Sequence, residues 1–566
     1  MNTCMSGEAP ENVHLIGGEM LLWSDMSNMG GATDWRGAAL ELIRRMLPPS
    51  GRVLLVGPHP QLVVDEVAAH ASAAHVSAAH VSAAHVSAVH TPSAAVLLRS
   101  YPDACALGER HPGLAVFCGR LEVFAADEPY DLVLALDGLL RTHSAEAPAA
   151  AWIESLDALA ALVAPGGRLV LGVRNDLGVD RLVEARPADR DGADDQWAPH
   201  GFDPSYPSGR GALDAGLESA GLTVQRCYAA YPGRQAPRAL LAREALTAEL
   251  PDALTFPLSS WGGDGMLVAD PLRLTRLVFR HRLGEELAPL WLAVATRPPL
   301  ITKSPIGADD AGELPLGLIE EGPALYELTQ AGLKHLPDGA EHPVPTGRVV
   351  EEILVEACAR EDVKTVRELL QNLAIWLEQG GDAAAGTDSL VYDGERFTAI
   401  GPMAALPSTP PEPRVVLCRI LRRFAVRLLA AGHHHPWPWP LEADQLTLTL
   451  CGMAARPCDP GDLDRARKLD AELGQPAELA EQAPTYRDLV SARDRLTDQL
   501  TAALARVARL ETKLSYRERE LVRARAKLRR THRKATAYRR TLGYRLSRRL
   551  ARPRRVARKV FRLLSG

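Results

Sequence analysis

Fully apolar runs alternate with amphipathic stretches over the first 246 residues. The apolar runs predict buried β-strands at 53–56, 94–98, 115–117, 130–136 and 168–173. The amphipathic stretches predict helices at 35–47, 62–69 and 152–163. This alternation is typical of a parallel sheet with helices on both faces, which binds ligands beyond the carboxyl ends of its strands. The pattern therefore predicts an α/β, doubly wound domain over residues 1–246 with a ligand site at that edge.

Residues 247–470 predict a second, mainly helical domain. Amphipathic helices are expected at 272–283, 349–377 and 415–429, with proline-rich segments between them. The acidic stretch 471–485 predicts a linker.

Apolar residues then recur in alternating steps of three and four, which predicts a coiled coil over residues 486–542. The seam comprises Leu489, Leu496, Leu500, Ala503, Val507, Leu510, Leu514, Leu521, Ala524, Leu528, Ala535, Tyr538 and Leu542. One helix cannot bury its own seam, so we expect a homo-oligomer, a dimer or trimer. The alternative is a long, charged single helix.

The tail, residues 543–566, is basic. Residues 517–562 carry 20 Lys and Arg against two Glu, a local charge of +18; because the whole chain has a net charge of −5, the rest carries −23. Apolar residues share one side of 542–564, which favours docking on an anionic membrane surface. The alternative is binding to nucleic-acid phosphates, which is less favoured because no aromatic or zinc module is present to read bases.

The eight cysteines form no C-x-x-C pair, which argues against a zinc ribbon or a disulfide framework and fits a reducing cytosol. We find no signal peptide and no window of 18 consecutive apolar residues. The sequence therefore predicts a cytoplasmic protein, with the inner face of the plasma membrane as the surface that the tail would favour.

Four segments resemble the class I S-adenosylmethionine-dependent methyltransferases. They are V-L-L-V-G (53–57), Y-D-L-V-L-A-L-D-G-L (130–139), L-V-A-P-G-G-R-L-V-L-G-V-R-N (162–175) and L-E-S-A-G-L-T-V-Q-R (217–226). The resemblance implies a Rossmann-like fold, S-adenosylmethionine as cofactor, and methyl transfer without a metal.

The resemblance also implies the site residues. Gly57, Pro58 and His59 would form the cofactor loop, although the family has more glycines there. Arg99 stands where the family has a carboxylate for the ribose, and Arg120 stands near the adenine position.

Two further residues follow the fourth and fifth strands. Asp137 would face the methyl acceptor and could act as a general base, and Asn175 would line the pocket. The missing loop glycines and the arginines at 99 and 120 depart from the family pattern, and they leave two hypotheses open. The chain is either an active methyltransferase or the same fold without activity.

Histidines recur every five residues within 68–90, at His70, His75, His80, His85 and His90. A five-residue step turns about 140° around a helix, so these side chains do not share a face. We therefore expect a lengthened helix or loop and no metal site.

The segment T-D-S-L-V-Y-D-G-E-R-F-T-A-I-G-P (387–402) looks like a hairpin of small-molecule and sugar kinases. Ser389 and Gly401 stand where that resemblance implies metal ligands, so a kinase-like middle domain would be degenerate and non-catalytic. The alternative is a helical domain with one hairpin.

The order of parts resembles bacterial methyltransferases of surface-glycan assembly. This implies methylation of a sugar or lipid-linked glycan at the membrane, with glycosyltransferases as partners. The alternatives are an inactive oligomeric scaffold of such machinery and, less favoured, a nucleic-acid-binding protein.

Overall fold

A computed structural model gives the fold of most of the chain. It describes residues 9–28, 33–81, 93–144, 150–183, 203–234, 236–247, 254, 258, 269, 271–299, 314–321, 324–399, 411–430, 433–437, 441–473 and 486–564. The chain divides into two units, Met1–Leu489 and Val490–Gly566.

One large sheet dominates the first unit, with thirteen strands among the described residues. In chain order they are β1 (Val13–Gly17), β2 (Val53–Val56), β3 (Ala94–Leu98), β4 (Ala115–Gly119), β5 (Tyr130–Ala135), β6 (Val163–Arg174), β7 (Thr223–Tyr231), β8 (Ala239–Ala242), β9 (Leu290–Thr296), β10 (Gly317–Glu321), β11 (Ala324–Leu328), β12 (Leu333–His335) and β13 (Glu341–His342). Their spatial order is β1-β4-β3-β2-β5-β6-β9-β7-β8-β10-β11-β12-β13.

The five adjacent strands β4, β3, β2, β5 and β6 are parallel to one another, as their apolar sequences predict. Their side chains alternate between two apolar cores: Leu54 and Val56 of β2 face one core, and Val53 and Leu55 face the other. A sheet covered on both faces is the α/β, doubly wound, Rossmann-like arrangement, so the predicted fold class is confirmed.

The predicted end of the first domain at residue 246 needs correction. Strand β9, from residues 290–296, lies between β6 and β7 and is antiparallel to both. Strand β10 pairs with β8 and extends the sheet further. The sheet therefore draws on residues far beyond 246, and β9 was missed because an apolar run does not reveal its pairing partner.

Helices cover both faces of the sheet. They are α1 (Asp25–Asn28), α2 (Ala38–Met46), α3 (Gln61–Val81), α4 (Tyr101–Arg110), α5 (Trp152–Ala161), α6 (Val179–Val183), α7 (Arg210–Ser219), α8 (Arg243–Thr247) and α9 (Pro271–Arg280). Residues of α2, α3 and α4 join one core, and residues of α5 and α7 join the other.

Part of the histidine repeat lengthens helix α3. The His70 ring lies 2.7 Å from the Pro48 carbonyl oxygen. Residues 82–90 of the repeat lie outside the described residues.

The remainder of the first unit is mainly helical. Its elements are β14 (Arg348–Val349), α10 (Val350–Ala359), α11 (Val363–Glu378), β15 (Leu390–Tyr392), β16 (Phe397–Ala399), α12 (Pro413–Ala430), α13 (Ala443–Met453) and α14 (Pro460–Glu472). The helix predicted at 349–377 is in fact two helices. Glu361 has a left-handed φ of 57°, and the Asp362 side chain caps α11 by accepting from the Thr365 N–H at 3.1 Å.

The hairpin predicted at 387–402 is formed by β15 and β16. The Ser389 hydroxyl oxygen accepts a hydrogen bond from the Gly386 N–H at 2.9 Å. Gly401 lies outside the described residues.

Two helices, α15 (Tyr486–Arg540) and α16 (Leu542–Leu564), account for the second unit, with the start of α15 in the first. The break at Thr541 lies close to the predicted end of the coiled coil, and α16 continues across Pro553. No helix in the described part of the chain is long and apolar enough to cross a membrane.

Candidate ligand site at the carboxyl edge of the sheet

Four of the predicted site residues follow four neighbouring strands. Gly57 follows β2, Arg99 follows β3, Arg120 follows β4, and Asp137 lies two residues after β5. Because these strands are parallel, their carboxyl ends form one edge, where α/β sheets bind ligands.

An N-terminal segment, residues 18–28, runs along this edge. The Met20 N–H donates to the Arg99 carbonyl oxygen at 2.7 Å, and the Tyr101 N–H donates back to the Met20 carbonyl oxygen at 3.1 Å. The Ser100 hydroxyl donates to the Trp23 carbonyl oxygen at 2.7 Å. The segment therefore bonds directly to the end of β3, which sequence analysis did not anticipate.

Arg99 is paired with this segment. Its guanidinium reaches the Asp25 carboxylate through Nη2 at 2.6 Å and Nε at 2.9 Å, and Asp25 is only 2% exposed. Arg99 stands where the resemblance implies a carboxylate that binds the ribose hydroxyl groups. Because Arg99 is a cation already paired with Asp25, a carboxylate for the ribose would have to come from another residue.

Asp137 is also engaged in ion pairs. Its two carboxylate oxygens each accept from Arg141 at 2.6 Å, and Arg174 lies 3.3 Å from Oδ1. Charge-assisted pairs of this kind are short and strong, and they hold the carboxylate in one orientation. The predicted role of Asp137 as a general base stays a prediction, and these contacts favour a positioning role instead.

Asn175 closes a turn. Its amide nitrogen donates to the carbonyl oxygens of Glu286 at 2.7 Å and Ala288 at 2.8 Å, and its Oδ1 accepts from the Leu177 N–H at 3.0 Å. These three bonds anchor the chain before β9, so the contacts of Asn175 are with the fold itself.

The loop Gly57–His59 has the geometry of a ligand cradle. Gly57 is buried with a φ of +83°, yet a Cβ built on it would meet no atom within 4 Å. A buried glycine beside open space lets another molecule approach the backbone closely. Pro58 is buried next to it but has no N–H to offer.

His59 carries a buried acceptor without a partner. Its Nδ1 lies 2.8 Å from the Gly57 carbonyl oxygen, which can only accept, so Nδ1 carries the hydrogen and Nε2 has the free lone pair. Nε2 is buried and makes no hydrogen bond. Burial lowers the pKa of His59 to about 4, so the ring is neutral at pH 7.

Two more buried polar atoms without hydrogen bonds lie near the end of β4: Glu19 Oε2 and Arg120 Nε. The Arg120 side chain packs so closely on Gly18 that a Cβ there would lie 2.9 Å from its Cδ. The pKa of the Cys118 thiol is raised to about 12, mainly by burial and next by the charge of Glu19, which places Glu19 beside β4.

Sequence analysis missed Glu19 and Asp25, which reach the site from the N-terminal segment. The usable signal was the pattern V-H-L-I-G-G-E at 13–19, an extended run followed by two glycines and an acid. This pattern is similar to a strand that ends at a ligand edge, but nothing in it shows that β1 pairs with β4.

We expect the free energy of unfolding to fall less steeply below neutral pH in His59→Gln than in the parent chain. The unfolded chain protonates His59 below about pH 6.5, whereas the folded chain does so only near the lowered pKa of about 4. Folding stability therefore falls as the pH drops through this window, by up to ~3 kcal/mol. The variant lacks this loss, so the free energy of unfolding, measured in urea between pH 7 and pH 4.5, falls less steeply.

His281→Gln is the control, because the exposed His281 is solvated in both states. Equal slopes for parent and His59→Gln would contradict the assignment of a buried, neutral ring.

No protein-family model matches the chain, and no curated protein matches its sequence. Solved structures do resemble about half of the chain. The CcbJ methyltransferase from Streptomyces caelestis shares 12% identity, with 49% of this chain and 94% of that chain covered and a TM-score of 0.26. A complex of the Haloferax volcanii Trm112 methyltransferase activator and a putative methyltransferase shares 15%, covering 47% and 90%, with a TM-score of 0.24.

The N-methyltransferase NodS from Bradyrhizobium japonicum shares 13% identity, with 46% and 93% covered and a TM-score of 0.22. Likenesses this slight support no inference about cofactor or substrate. The strand order and directions give an α/β, doubly wound, Rossmann-like fold, which is the fold class predicted from the sequence.

Proposed function

We propose that the first unit binds S-adenosylmethionine at the carboxyl edge of its sheet and transfers the methyl group to a sugar or lipid-linked glycan. The observation that carries the cofactor proposal is the open space at Gly57, flanked by the unpartnered Nε2 of His59. A buried acceptor without a donor costs about 1–3 kcal/mol, and a bound ligand that donates a hydrogen bond removes this cost.

The residues present fit this cofactor if the carboxylate for the ribose comes from a different place in the chain. The family's carboxylate at the end of the second strand is replaced here by Arg99, and Glu19 would supply a carboxylate from the N-terminal segment. Strands β2 and β4 are two strand spacings apart, about 10 Å, so a ligand extended across β3 would reach both His59 and Glu19.

Each residue has a separate task in this proposal. Gly57 lets the ligand approach the backbone, His59 Nε2 accepts a hydrogen bond from a ligand donor, and Glu19 accepts from ligand hydroxyl or amine groups. Arg120 Nε remains available to donate. When bound, S-adenosylmethionine supplies an electrophilic methyl group on sulfur, and the protein contributes orientation and exclusion of water.

Titration calorimetry of the full chain with S-adenosylmethionine and S-adenosylhomocysteine tests the proposal. Gly57→Ala should weaken binding about ten- to hundredfold, because an added methyl that overpacks a site costs about 1–3 kcal/mol. Gly166→Ala is the matched control: its φ is +82° and a Cβ there also meets no atom within 4 Å. Both variants bear the same backbone strain, so only the site distinguishes them.

Glu19→Gln should lower affinity by a similar factor through loss of charge-assisted hydrogen bonds, with the exposed Glu109→Gln as control. If the parent chain binds neither ligand at millimolar concentration, the cofactor proposal fails. If Gly57→Ala and Gly166→Ala bind equally well, the cofactor lies elsewhere.

A second candidate function is an oligomeric scaffold without methyltransferase activity. It is favoured by the ion pairs that occupy Arg99 and Asp137, and by the exposed apolar residues of α15 and α16. In this case α15 would join copies of the chain and α16 would dock on an anionic membrane beside glycosyltransferases. Absence of cofactor binding together with vesicle binding would favour it.

A further inference from the structure

Three thiols from three separate segments meet in the helical part of the first unit. Cys418 lies on α12, Cys451 on α13, and Cys458 in the loop between α13 and α14. Their sulfur atoms all lie within 4.8 Å of one another. Cys418 and Cys451 are fully buried in the apolar core of the helices, whereas Cys458 is half-buried at its margin.

The loop that presents Cys458 is fixed at both ends. Ala455 has a left-handed φ of 57°, and the Arg456 N–H donates to the Cys451 carbonyl oxygen at 3.0 Å. The Arg456 guanidinium also pairs with the Glu378 carboxylate on α11. The path of the chain from Cys451 to Cys458 is therefore set by hydrogen bonds and an ion pair that do not involve the sulfur atoms.

Cys458 lies at the N-terminus of α14. The residue directly precedes Asp459, the N-cap of α14, whose side chain accepts from the Asp462 N–H at 3.0 Å. The Cys458 sulfur also lies 3.8 Å from the backbone oxygen of Arg414.

The arrangement differs from ordinary burial of cysteine. Cys358 lies in the same apolar core and is as buried as Cys418 and Cys451, but among the described residues it belongs to no such group. A free cysteine in a core behaves as a small apolar residue, and that accounts for Cys358. It does not account for three sulfurs in one place, one of them at the margin of the core.

We propose that Cys418, Cys451 and Cys458 bind one Zn²⁺ ion. With Zn–S bonds of about 2.3 Å, the sulfurs of a tetrahedral site lie about 3.8 Å apart, so the three need to move by about 1 Å or less. Each thiol loses its proton to solvent as its sulfur coordinates, and a water molecule takes the fourth position on the exposed side of Cys458. Thiolate ligands suit Zn²⁺ in preference to Mg²⁺ or Ca²⁺.

The absence of a C-x-x-C pair, which argued against a zinc ribbon, does not bear on this site. Its ligands come from a C-x₆-C pair and a cysteine 33 residues upstream, and only the packing of α12 against α13 and α14 brings them together. The site is independent of the proposed methyl transfer.

The test uses the full chain, purified with reductant and stripped by a chelator, then titrated with Zn²⁺ and separately with Co²⁺. We expect one equivalent to bind, a thiolate-to-cobalt charge-transfer band to appear, and Zn²⁺ to abolish that band. Cys458→Ser should lose the band and weaken Zn²⁺ binding at least about a hundredfold, since one of three thiolates is gone. It is the least buried of the three, so it is the variant best tolerated by the fold.

Cys358→Ser is the matched control, because it alters a buried cysteine of the same core outside the group. It should bind Zn²⁺ and Co²⁺ as the parent does. A parent chain that shows no charge-transfer band, or equal binding by Cys458→Ser and Cys358→Ser, would overturn the proposal. So would a reductant-free preparation in which mass spectrometry finds a disulfide between two of the three cysteines while Zn²⁺ is present in excess.

Discussion

Arg427→Leu is expected to destabilise the helical part of the first unit by about 3–5 kcal/mol, the cost of removing one partner from a buried ion pair. Arg427 lies on α12, and its Nε is 2.8 Å from Glu351 Oε1. Nη2 donates to the Thr387 hydroxyl oxygen at 2.9 Å, and Nη1 lies 3.2 Å from Asp388 Oδ2. One guanidinium therefore joins α10, α12 and the start of the β15–β16 hairpin.

The size of the effect follows from what the substitution leaves behind. Glu351 is 6% exposed and Thr387 is fully buried, so neither can turn to water when the cation is gone. The remaining Thr387 hydroxyl bond to Glu351, at 2.7 Å, cannot replace a charge.

Chemical denaturation followed by circular dichroism measures the loss, and hydrogen exchange over residues 348–473 locates it. The control is Arg360→Leu, which breaks an exposed pair with Glu356 and should cost no more than about 1 kcal/mol. Equal losses in the two variants would mean that the buried network contributes nothing beyond a surface pair.

The same network explains the segment that resembled a kinase hairpin. The resemblance implied that Ser389 replaces a metal ligand in a degenerate, non-catalytic domain, and the neighbouring Thr387 and Asp388 contact Arg427. A polar cluster beside a hairpin contains similar residue types whether it binds a metal or pairs with an arginine. The arginine lies about 40 residues away in the chain, so only the fold distinguishes the two.

The central strands were predictable because burial on both faces demands continuous apolar residues. Strands β2, β3 and β5 fall within a residue or two of the positions predicted from the sequence. Strand β9 is equally apolar, but its place between β6 and β7 depends on long-range pairing that no local pattern encodes. The same limit hid the pairing of β1 with β4.

The candidate site was predictable only in part for a related reason. Gly57, Arg99 and Arg120 follow strands, so strand positions alone brought them to one edge. Asp25, which pairs with Arg99, and Glu19, whose Oε2 has no hydrogen-bond partner, both come from the N-terminal segment, more than 70 residues earlier in the chain than Arg99. Local sequence indicates where an edge is, but it does not show which distant segment crosses it.

The second large effect concerns α15, where Leu521→Lys is expected to dissociate a homo-oligomer. The apolar seam places Leu500, Val507, Leu514, Leu521 and Leu528 at one heptad position, all half or more exposed in the single chain. Burying each leucine against a partner stabilises by about 1.5–3 kcal/mol. Two lysines in a dimer therefore cost about 3–6 kcal/mol, or a hundredfold or more in the dissociation constant.

Over residues 506–525 the flanking charges favour parallel helices in register. With Leu521 at heptad position a, Arg506, Lys513 and Glu520 occupy g, while Glu511, Glu518 and Arg525 occupy e of the following heptads. In a parallel pair each g residue faces the e residue five positions later on the partner, so all three pairs are of opposite charge.

Val522→Lys is the matched control for this experiment. Val522 is the next residue and is 66% exposed against 55% for Leu521, but it lies off the seam. Analytical ultracentrifugation of the full chain should show an oligomer for the parent and for Val522→Lys, and a large shift toward monomer for Leu521→Lys. If parent and both variants sediment as monomers, α15 is a long, charged single helix. If both lysine variants dissociate alike, the oligomer does not form through the heptad seam.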